Sequence, residues 1–376
     1  MLLYIIWNAK PQLIDLGTFE IRYYSLLFAI AFIIGYYIGY KIFKKEGYSQ
    51  QILDKLFIYV VLSTIIGARL GHCLFYEFDY YKNHLLEIFL PWRGRIGEDF
   101  RFTGYQGLAS HGAAIGVLVG IYLFYKKTKI SYLWTLDKLA IVFALGGSFV
   151  RLGNLMNSEI YGKHTNNDSG FVFVHDFTRS LELNSKNLIK TIKYEKIANS
   201  YNSNIKAVSL IIDITLSNRI TDSSQAKIFA ENYFKSLLSR FSNNYKGDLN
   251  VFHPDIDNFS YNIYQHKNLF HIKAYIYGMP RYPTQIYESI AYFVIFLILL
   301  WLYYNKNFNY KNGFFTGMFF LLIFSARFVI EFFKENQELF EYNLPINMGQ
   351  ILSLPFIVSG LIIVFKTTEK LKQNNS

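Results

Sequence analysis

The most constraining feature of this sequence is a series of long apolar stretches, each near the length that crosses a lipid bilayer. A helix of about 20 apolar residues spans the ~30 Å hydrocarbon core. Backbone polar groups must be paired within lipid, so such stretches predict helices. The sequence therefore predicts an all-α polytopic membrane protein with about seven transmembrane helices. The stretches are 22–41, 55–76, 109–126, 134–153, 285–304, 313–331 and 348–366.

The distribution of charge predicts the orientation of the chain. The formal net charge is +11, although charged residues make up only 17% of the sequence. Lysines concentrate in alternate short loops, where they set topology rather than bind nucleic acid, so no nucleic-acid partner is expected. These loops are predicted to be cytoplasmic, which places the N-terminus outside and the C-terminus inside. Their lysines are Lys41, Lys44, Lys45, Lys55, Lys126, Lys127, Lys129, Lys306, Lys311, Lys366, Lys370 and Lys372.

Residues 163–281 differ in composition from the rest of the chain. Asn, Ser and Lys are more frequent there, and no stretch is long enough to cross a bilayer. We expect a small α+β extracytoplasmic head domain. It is inserted between 1–162, with four transmembrane helices and an outer arm loop, and 282–376, with three helices and a cytoplasmic tail. Its predicted strands are 171–177, 208–216 and 269–278, and its predicted helix is 224–241.

Polar residues interrupt the apolar pattern at the end of the fourth stretch. The apolar run 140–150 is followed by Arg151, and with 3.6 residues per turn Asn154, Ser158 and Glu159 fall near the same helix face. Burying a charge at bilayer depth costs at least about 2.5–3.5 kcal/mol, so such groups are normally paired or face a polar cavity. We interpret this stretch as part of a functional site.

Other charged positions have both a functional and a structural interpretation. Arg327 and Glu331 are four residues apart on one helix face. In the structural interpretation they form an ion pair that joins helices. In the functional interpretation Arg327 faces an anionic ligand and Glu331 orients it. His111 is either a hydrogen-bonded residue at a helix end or a general base. The small residue that follows it, Gly112, permits close approach of a neighbouring helix or of a lipid head group.

Two helix starts have ordinary structural interpretations. Tyr24, at the start of the first stretch, is typical of an aromatic residue at the membrane interface. Thr284 is predicted to be an N-cap after Pro283, with Glu288 early in the helix that follows. From the residues alone, neither start requires a catalytic function.

The predicted topology places several of these side chains at one depth. Arg69, His111, Arg151 and Arg327 all lie toward the outer half of the membrane, which permits a common cavity. No second histidine stands at metal-ligand spacing, and the single cysteine, Cys73, cannot form an intrachain disulfide. The cavity suits an enzyme that acts on an anionic lipid or a transporter of an anionic solute or lipid. A scaffold that binds a partner is a third alternative, but it leaves the buried charges unexplained.

Five motifs together resemble those of the bacterial phosphatidylglycerol–prolipoprotein diacylglyceryl transferase family. The resemblance covers nearly all of 17–162 and 282–366. It implies transfer of diacylglyceryl from phosphatidylglycerol to the lipobox cysteine of prolipoprotein signal peptides, with glycerol 1-phosphate released. It also implies a multi-pass protein of the bacterial cytoplasmic (inner) membrane, with its active site toward the outer side and no cofactor. The motifs are HGAAIG (111–116), RLGNLMNSEIYG (151–162), YPTQIYES (282–289), RFVIEFFKE (327–335) and NMGQILSLP (347–355).

The resemblance implies roles for the candidate residues. Arg151 and Arg327 would bind the phosphate and neutralise the charge that grows as it departs. His111 would take the proton of the incoming thiol, and a thiol polarised by arginine, without a histidine base, is the alternative. The residues that would shape the head-group site are Tyr24, Gly112, Asn154, Glu159, Gly162 and Glu331.

The chain also departs from the usual family pattern. The departures fall where the head group would be contacted, and none removes a charged group from the site. Asp137 matches a further family position, and its predicted cytoplasmic placement indicates a structural role. The departures are Ala113, Val150, Ser158, Tyr282 and Ile323.

Overall fold

The chain divides into two compact units. The first unit comprises Met1–Ala29, Gly147–Tyr292 and Ser325–Leu354, and the second comprises Ile30–Gly146, Phe293–Phe324 and Pro355–Ser376. Both arginines proposed to bind phosphate therefore belong to the first unit, and the proposed histidine base belongs to the second. The computed structural model describes residues 4–15, 20–90, 92–94, 100–102, 107–166, 170–202, 206–243, 250–305, 310–336, 341 and 344–368.

The described chain is mostly helical. Two short 3₁₀ turns, Leu85–Ile88 and Glu331–Phe333, accompany the helices, and a π-turn, Ala230–Lys235, joins the seventh helix to the eighth. The helices are α1 (Tyr23–Lys45), α2 (Gln50–Phe75), α3 (Phe78–Tyr81), α4 (Ser110–Thr128), α5 (Tyr132–Met156), α6 (His175–Asn184), α7 (Ser223–Phe229), α8 (Ser236–Asn243), α9 (Thr284–Tyr304), α10 (Phe314–Ile330) and α11 (Met348–Thr368).

Six helices of the described chain are long and apolar enough to cross a membrane, so the protein is a polytopic membrane protein. They are α1, α2, α5, α9, α10 with the turn after it, and α11. The third predicted stretch also forms a helix, α4, of 19 residues. It is less apolar because it begins with Ser110 and His111 and ends with lysines near its last turn. A seventh span stays a prediction.

Glycines set the contact between α2 and α4 within the second unit. A Cβ added to Gly112 would lie 2.2 Å from the carbonyl oxygen of Gly67 and 2.7 Å from the Cα of Gly71. Two helix backbones can approach this closely only where side chains are missing. Gly112 is therefore used in a helix–helix contact, which is one of the two uses that the sequence left open.

Two buried charges of the second unit have local partners. The Arg69 side chain donates to the carbonyl oxygen of Ile88 at 2.9 Å, so it anchors the segment that follows α2. Asp137 accepts hydrogen bonds from the backbone amides of Gly313 and Thr316 at 2.7 and 2.8 Å. Asp137 thus caps the start of α10, in keeping with the structural role predicted for it.

Within the first unit, one face of a sheet packs against α7, the π-turn and α8. Its strands, in spatial order, are β10 (Tyr261–His266), β11 (Leu269–Gly278), β8 (Ala207–Leu216) and β7 (Ile189–Asn202). The strands predicted at 208–216 and 269–278 are confirmed, and the helix at 224–241 is confirmed with a π-turn inside it. The strand predicted at 171–177 ends at Phe173, because α6 begins at His175. The strands are β1 (Ile5–Trp7), β2 (Gln12–Asp15), β3 (Glu20–Arg22), β4 (Trp92–Arg93), β5 (Arg101–Phe102), β6 (Phe171–Phe173), β7 (Ile189–Asn202), β8 (Ala207–Leu216), β9 (Val251–Phe252), β10 (Tyr261–His266) and β11 (Leu269–Gly278).

Candidate active site

The end of α5 carries the first arginine of the candidate site. The Arg151 side chain is 15% exposed, and its Nε lies 3.0 Å from Oε2 of Glu288. Glu288 is completely buried, in the second turn of α9. Arg151 Nη1 also donates to Oδ1 of Asn154 at 3.2 Å, one turn further along α5. The guanidinium therefore has a carboxylate and an amide as partners directly after the apolar run 140–150.

A lysine joins this pair to the second arginine. Lys334 is 2% exposed, and its Nζ lies 3.2 Å from Oε1 of Glu288 and 3.1 Å from Oε1 of Glu331. Arg327 Nε lies 3.5 Å from the same Glu331 oxygen, which confirms the predicted i,i+4 contact. The five side chains form an alternating series of charges, Arg151–Glu288–Lys334–Glu331–Arg327, called the ion row below.

The ion row brings both predicted arginines into one site. Tyr292 is buried and lies within electrostatic range of both Arg151 and Arg327. Three cations of the row face two carboxylates, so positive charge is in excess. Among the described residues, Arg327 Nε is buried and makes no hydrogen bond of good geometry. Excess positive charge in a poorly solvated place favours the binding of an anion.

The turn after α5 differs from the sequence prediction. The helix ends before Ser158, and Ser158 and Ile160 have positive φ angles of 54° and 57°. The prediction that Ser158 and Glu159 share a helix face with Arg151 is therefore wrong. The turn instead returns Glu159 toward α5, where its Oε1 accepts a hydrogen bond from Asn154 Nδ2 at 2.8 Å. Asn154 thus links Arg151 to an exposed carboxylate.

Two predicted site residues depend on close backbone contacts at glycine. A Cβ on Gly153 would lie 2.6 Å from the ring of Tyr24, so this ring packs directly against the backbone of α5. A Cβ on Gly162 would lie 2.6 Å from the carbonyl oxygens of both Tyr282 and Phe333. Glycine is needed where three chain segments meet this closely. Gly162 therefore holds the turn after α5 against the start of α9 and the end of α10.

A further buried arginine joins the same segments. Arg281 is fully buried, pairs with Glu335 at 3.0 Å and donates from Nε to Oδ1 of Asn250 at 2.6 Å. His164 lies beside it in a short backbone bridge. Burial, with the charge of Arg281 nearby, lowers the pKa of His164 to about 4. His164 is therefore neutral near pH 7 and adds no positive charge to the site.

Sequence reasoning missed two members of the ion row, Glu288 and Lys334. The start of α9 is interpreted from sequence as a helix capped by Thr284, but the Thr284 hydroxyl donates to the carbonyl oxygen of Ile160 at 3.2 Å. α9 already includes Thr284, and the backbone amides of Ile286 and Tyr287 donate to the carbonyl oxygen of Pro283, so the N-cap interpretation of Thr284 is wrong. A usable signal existed, because Glu288 stands inside an apolar helix, which is the same observation that singled out Arg151.

Gly349 is also part of the site, because its missing side chain leaves room for Glu331. A Cβ on Gly349 would lie 2.4 Å from both Cδ and Oε1 of that carboxylate. We expect Gly349→Ala to displace Glu331 from Lys334, with a loss of about 1–3 kcal/mol of stability from overpacking. Thermal unfolding in detergent and catalytic turnover would both be measured. Gly146→Ala is the control, since a Cβ there meets no atom of the described residues within 4 Å. Equal behaviour of the two variants would contradict this role.

The remaining predicted catalytic residue lies in the second unit. His111 is the second residue of α4 and is exposed. The contacts of the described residues in that unit do not decide between a structural and a catalytic role for His111. In the part of the chain that the structure describes, no three His, Cys, Asp or Glu side chains are grouped so that they could hold a metal ion.

The helices define a polytopic membrane protein, and its candidate anion site consists of two partly exposed arginines with buried carboxylate partners. The chain belongs to the prolipoprotein diacylglyceryl transferase family, whose family model matches residues 11–366. It is similar to the phosphatidylglycerol–prolipoprotein diacylglyceryl transferase of Bacteroides fragilis, with 32% identity over 97% of this chain and 96% of the relative. The enzymes of that name from Tolumonas auensis (31% identity; 97% and 98%) and Chloroherpeton thalassium (29%; 98% and 96%) are also similar. The resemblance predicted from the motifs is confirmed.

Proposed function

We propose that this protein transfers the diacylglyceryl group of phosphatidylglycerol to the lipobox cysteine of prolipoproteins, the first step of lipoprotein maturation. Family membership and the names of the relatives support this reaction. The cysteine sulfur attacks the carbon of the diacylglyceryl unit that is bonded to the phosphate oxygen. A C–S bond forms as the C–O bond breaks, the thiol loses its proton, and glycerol 1-phosphate leaves. The protein acts as a transferase that stabilises the leaving group and supplies no nucleophile of its own.

The convergence of Arg151 and Arg327 on one ion row is the observation that carries this proposal. Negative charge grows on the phosphate oxygens as the ester bond breaks. Two guanidinium groups held in place before the reaction stabilise that charge without reorganisation. The planar fork of each can donate two hydrogen bonds to phosphate oxygens. The buried carboxylates fix the direction of each fork, and Lys334 balances the carboxylate charge.

The other candidate residues have supporting roles in this proposal. Asn154 accepts a hydrogen bond from Arg151, and Glu159 orients Asn154 through its 2.8 Å hydrogen bond. Tyr24 packs against the backbone of α5 at Gly153. Gly162 holds together the segments that carry the row, and Glu331 fixes Arg327. For Gly112, which the family resemblance assigns to the head-group site, the contact between α2 and α4 supports a structural role instead.

The proton of the thiol is proposed to go to His111. We expect His111→Gln to lower turnover by about 10²-fold or more, because glutamine cannot accept the proton, while phosphatidylglycerol binding stays. Single-turnover transfer and lipid binding would be measured on the same preparation. His266→Gln, an exposed histidine of β10, is the matched control. Unchanged turnover in His111→Gln would favour the alternative, a thiol polarised by arginine alone.

The finer membrane arrangement also belongs to this proposal. We place the protein in the bacterial inner membrane with seven spans, counting α4, the N-terminus and the 163–281 domain outside, and the active site toward the outer side. Lysine-rich short loops support this orientation. In a Cys73→Ser background, Glu182→Cys should react with an impermeant maleimide in spheroplasts, and Lys129→Cys should not. The opposite pattern would reverse the orientation.

The role proposed for the 163–281 domain is capture of the prolipoprotein. A form that lacks 188–277, and so keeps Lys163 and Arg281, should keep transfer to a short lipobox peptide and lose affinity for full-length prolipoprotein. Equal affinity of both forms for full-length substrate would contradict this role.

A transfer assay tests the function itself. Membranes that contain the protein would be incubated with phosphatidylglycerol labelled in its acyl chains and with a lipobox peptide. We expect labelled peptide and an equal amount of glycerol 1-phosphate. A peptide in which serine replaces the lipobox cysteine is the control, since it lacks the attacking sulfur. Movement of label across the membrane without transfer to the cysteine peptide would identify a lipid transporter and contradict the enzyme.

A further inference from the structure

A polar pocket opens beside the Arg327 end of the ion row, within the first unit. Its volume is about 180 Å³, and one water occupies about 30 Å³ of liquid, so a three-carbon polyol fits. Its wall contains apolar atoms from Phe332 and Leu344–Ile346, but most of its functional groups are polar. The polar lining residues are Lys163, Glu331, Asn336, Glu341, Asn347 and Gln350.

The pocket and the ion row share one carboxylate. Oε1 of Glu331 faces Lys334 and Arg327, at 3.1 and 3.5 Å, and Oε2 accepts a hydrogen bond from Asn347 Nδ2 at 3.2 Å. A ligand group in the pocket therefore lies next to whatever Arg327 binds. One ligand could therefore place its phosphate at the ion row and a substituent of that phosphate in the pocket.

The polar groups of the pocket are held in place by the start of α11. Asn347 and Gln350 cap each other, since each backbone amide donates to the other's side-chain oxygen, at 3.1 and 2.9 Å. Glu341 is 7% exposed, and its Oε1 accepts from the backbone amide of Met348 at 3.3 Å. Gln350 Nε2 donates to the carbonyl oxygen of Phe328 at 3.3 Å, which ties α11 to α10. Such fixed groups bind with little ordering cost.

The charge of the pocket selects the ligand class. Glu331 and Glu341 supply carboxylate oxygens, and among the described lining residues Lys163 is the one cation. A second phosphate would be repelled by two carboxylates, so the anion belongs at the ion row. A hydroxyl group can donate a hydrogen bond to a carboxylate, and its oxygen can accept one from an amide or ammonium group. A neutral group with two neighbouring hydroxyls satisfies both kinds of partner.

We propose that this pocket binds the glycerol diol of the phospholipid head group while the ion row binds the phosphate, so that Glu341 and Lys163 select the lipid donor. This inference rests on the proposed transferase function. It assigns the choice of phosphatidylglycerol to these two pocket residues, and the chemical step to the arginines.

Donor selectivity tests the proposal. Transfer to a lipobox peptide would be measured with phosphatidylglycerol and with phosphatidylpropanol, which has the same phosphodiester and lacks both hydroxyls. We expect the wild-type protein to prefer phosphatidylglycerol in kcat/KM by about tenfold or more, because hydrogen bonds to charged groups are lost with the analogue. Glu341→Gln and Lys163→Gln should lower kcat/KM for phosphatidylglycerol, leave that for phosphatidylpropanol unchanged, and so reduce the preference.

Two controls keep a failure interpretable. Lys163 is exposed, so Lys163→Gln is expected to fold even if Glu341→Gln does not, and Glu182→Gln, on the surface of α6, should keep wild-type selectivity. Equal use of the two donors by the wild-type protein would overturn the diol subsite and leave the transferase intact. An equal loss of kcat/KM for both donors in the pocket variants would also overturn it. So would a kcat/KM for phosphatidylethanolamine equal to that for phosphatidylglycerol. Transfer from no donor would overturn the function and the subsite together.

Discussion

Arg151→Gln and Arg327→Gln are each expected to lower the rate of diacylglyceryl transfer by about 10²–10³-fold, the usual cost of removing one preorganised donor to a developing charge. Glutamine keeps much of the side-chain length but loses the positive charge and the fork. Both arginines are partly exposed while their carboxylate partners are almost fully buried, so the guanidinium groups are the reachable part of the row. Single-turnover transfer at saturating phosphatidylglycerol would measure the effect.

The controls separate charge from geometry. Arg151→Lys keeps the charge without the fork and should recover only part of the lost rate. Arg179→Gln, an exposed arginine of α6, should leave the rate unchanged. The double variant should lose less than the product of the two single losses, because residues that act on one phosphate are not independent. If transfer persists at the wild-type rate in both single variants, the ion row is not the phosphate site.

Lys334→Met is expected to cost about 3–5 kcal/mol of unfolding free energy, the usual result of removing one partner from buried ion pairs. Glu288 and Glu331, 0% and 6% exposed, would then lose the cation between them. Each would keep only its arginine as a charged partner, and the carboxylates would repel each other. Thermal unfolding in detergent would show the loss as a lower midpoint, with turnover reduced as the arginines lose their orientation.

A matched lysine and a second substitution test the cause. Lys235→Met removes a surface pair, Lys235–Glu231 at 3.9 Å, and should cost less than about 1 kcal/mol. Adding Glu288→Gln to Lys334→Met should restore part of the stability, because one buried charge is removed with its partner. An unfolding midpoint of Lys334→Met equal to that of the wild-type protein would mean that the row does not contribute to stability.

Local spacing predicted part of the site, and long-range contacts decided the rest. The pair Arg327–Glu331 follows from helix periodicity, since residues four apart face each other. The pair Arg151–Glu288 joins α5 to α9, and the pair Lys334–Glu288 joins the residue after the 3₁₀ turn to α9. No spacing rule within one segment indicates either pair. Lys334 looks in sequence like a lysine at a helix end, where solvation would be expected, and only packing shows it to be buried.

The turn after α5 is the clearest failure of periodicity. Helical periodicity extended through Glu159 correctly predicts that Glu159 lies near Asn154. The contact arises from the turn after α5, however, and not from a continued helix. The chain leaves the helix and adopts positive φ angles at Ser158 and Ile160, which are uncommon outside glycine. Neither residue signals this conformation, so local propensity could not predict it. The same limit applies to Thr284, whose hydroxyl donates a hydrogen bond to Ile160, in the turn after α5, and not to its own helix.

Local hydrophobic pattern and the order of the motifs were enough to predict the membrane class, six of the spans, the strands β8 and β11, and the family. Tertiary structure alone decided which charges are partners, where Lys334 lies, and that Gly112, Gly162 and Gly349 are sites of close approach. The physical reason is that burial and ion pairing depend on segments far apart in the chain. A side chain's neighbours are fixed only when those segments pack.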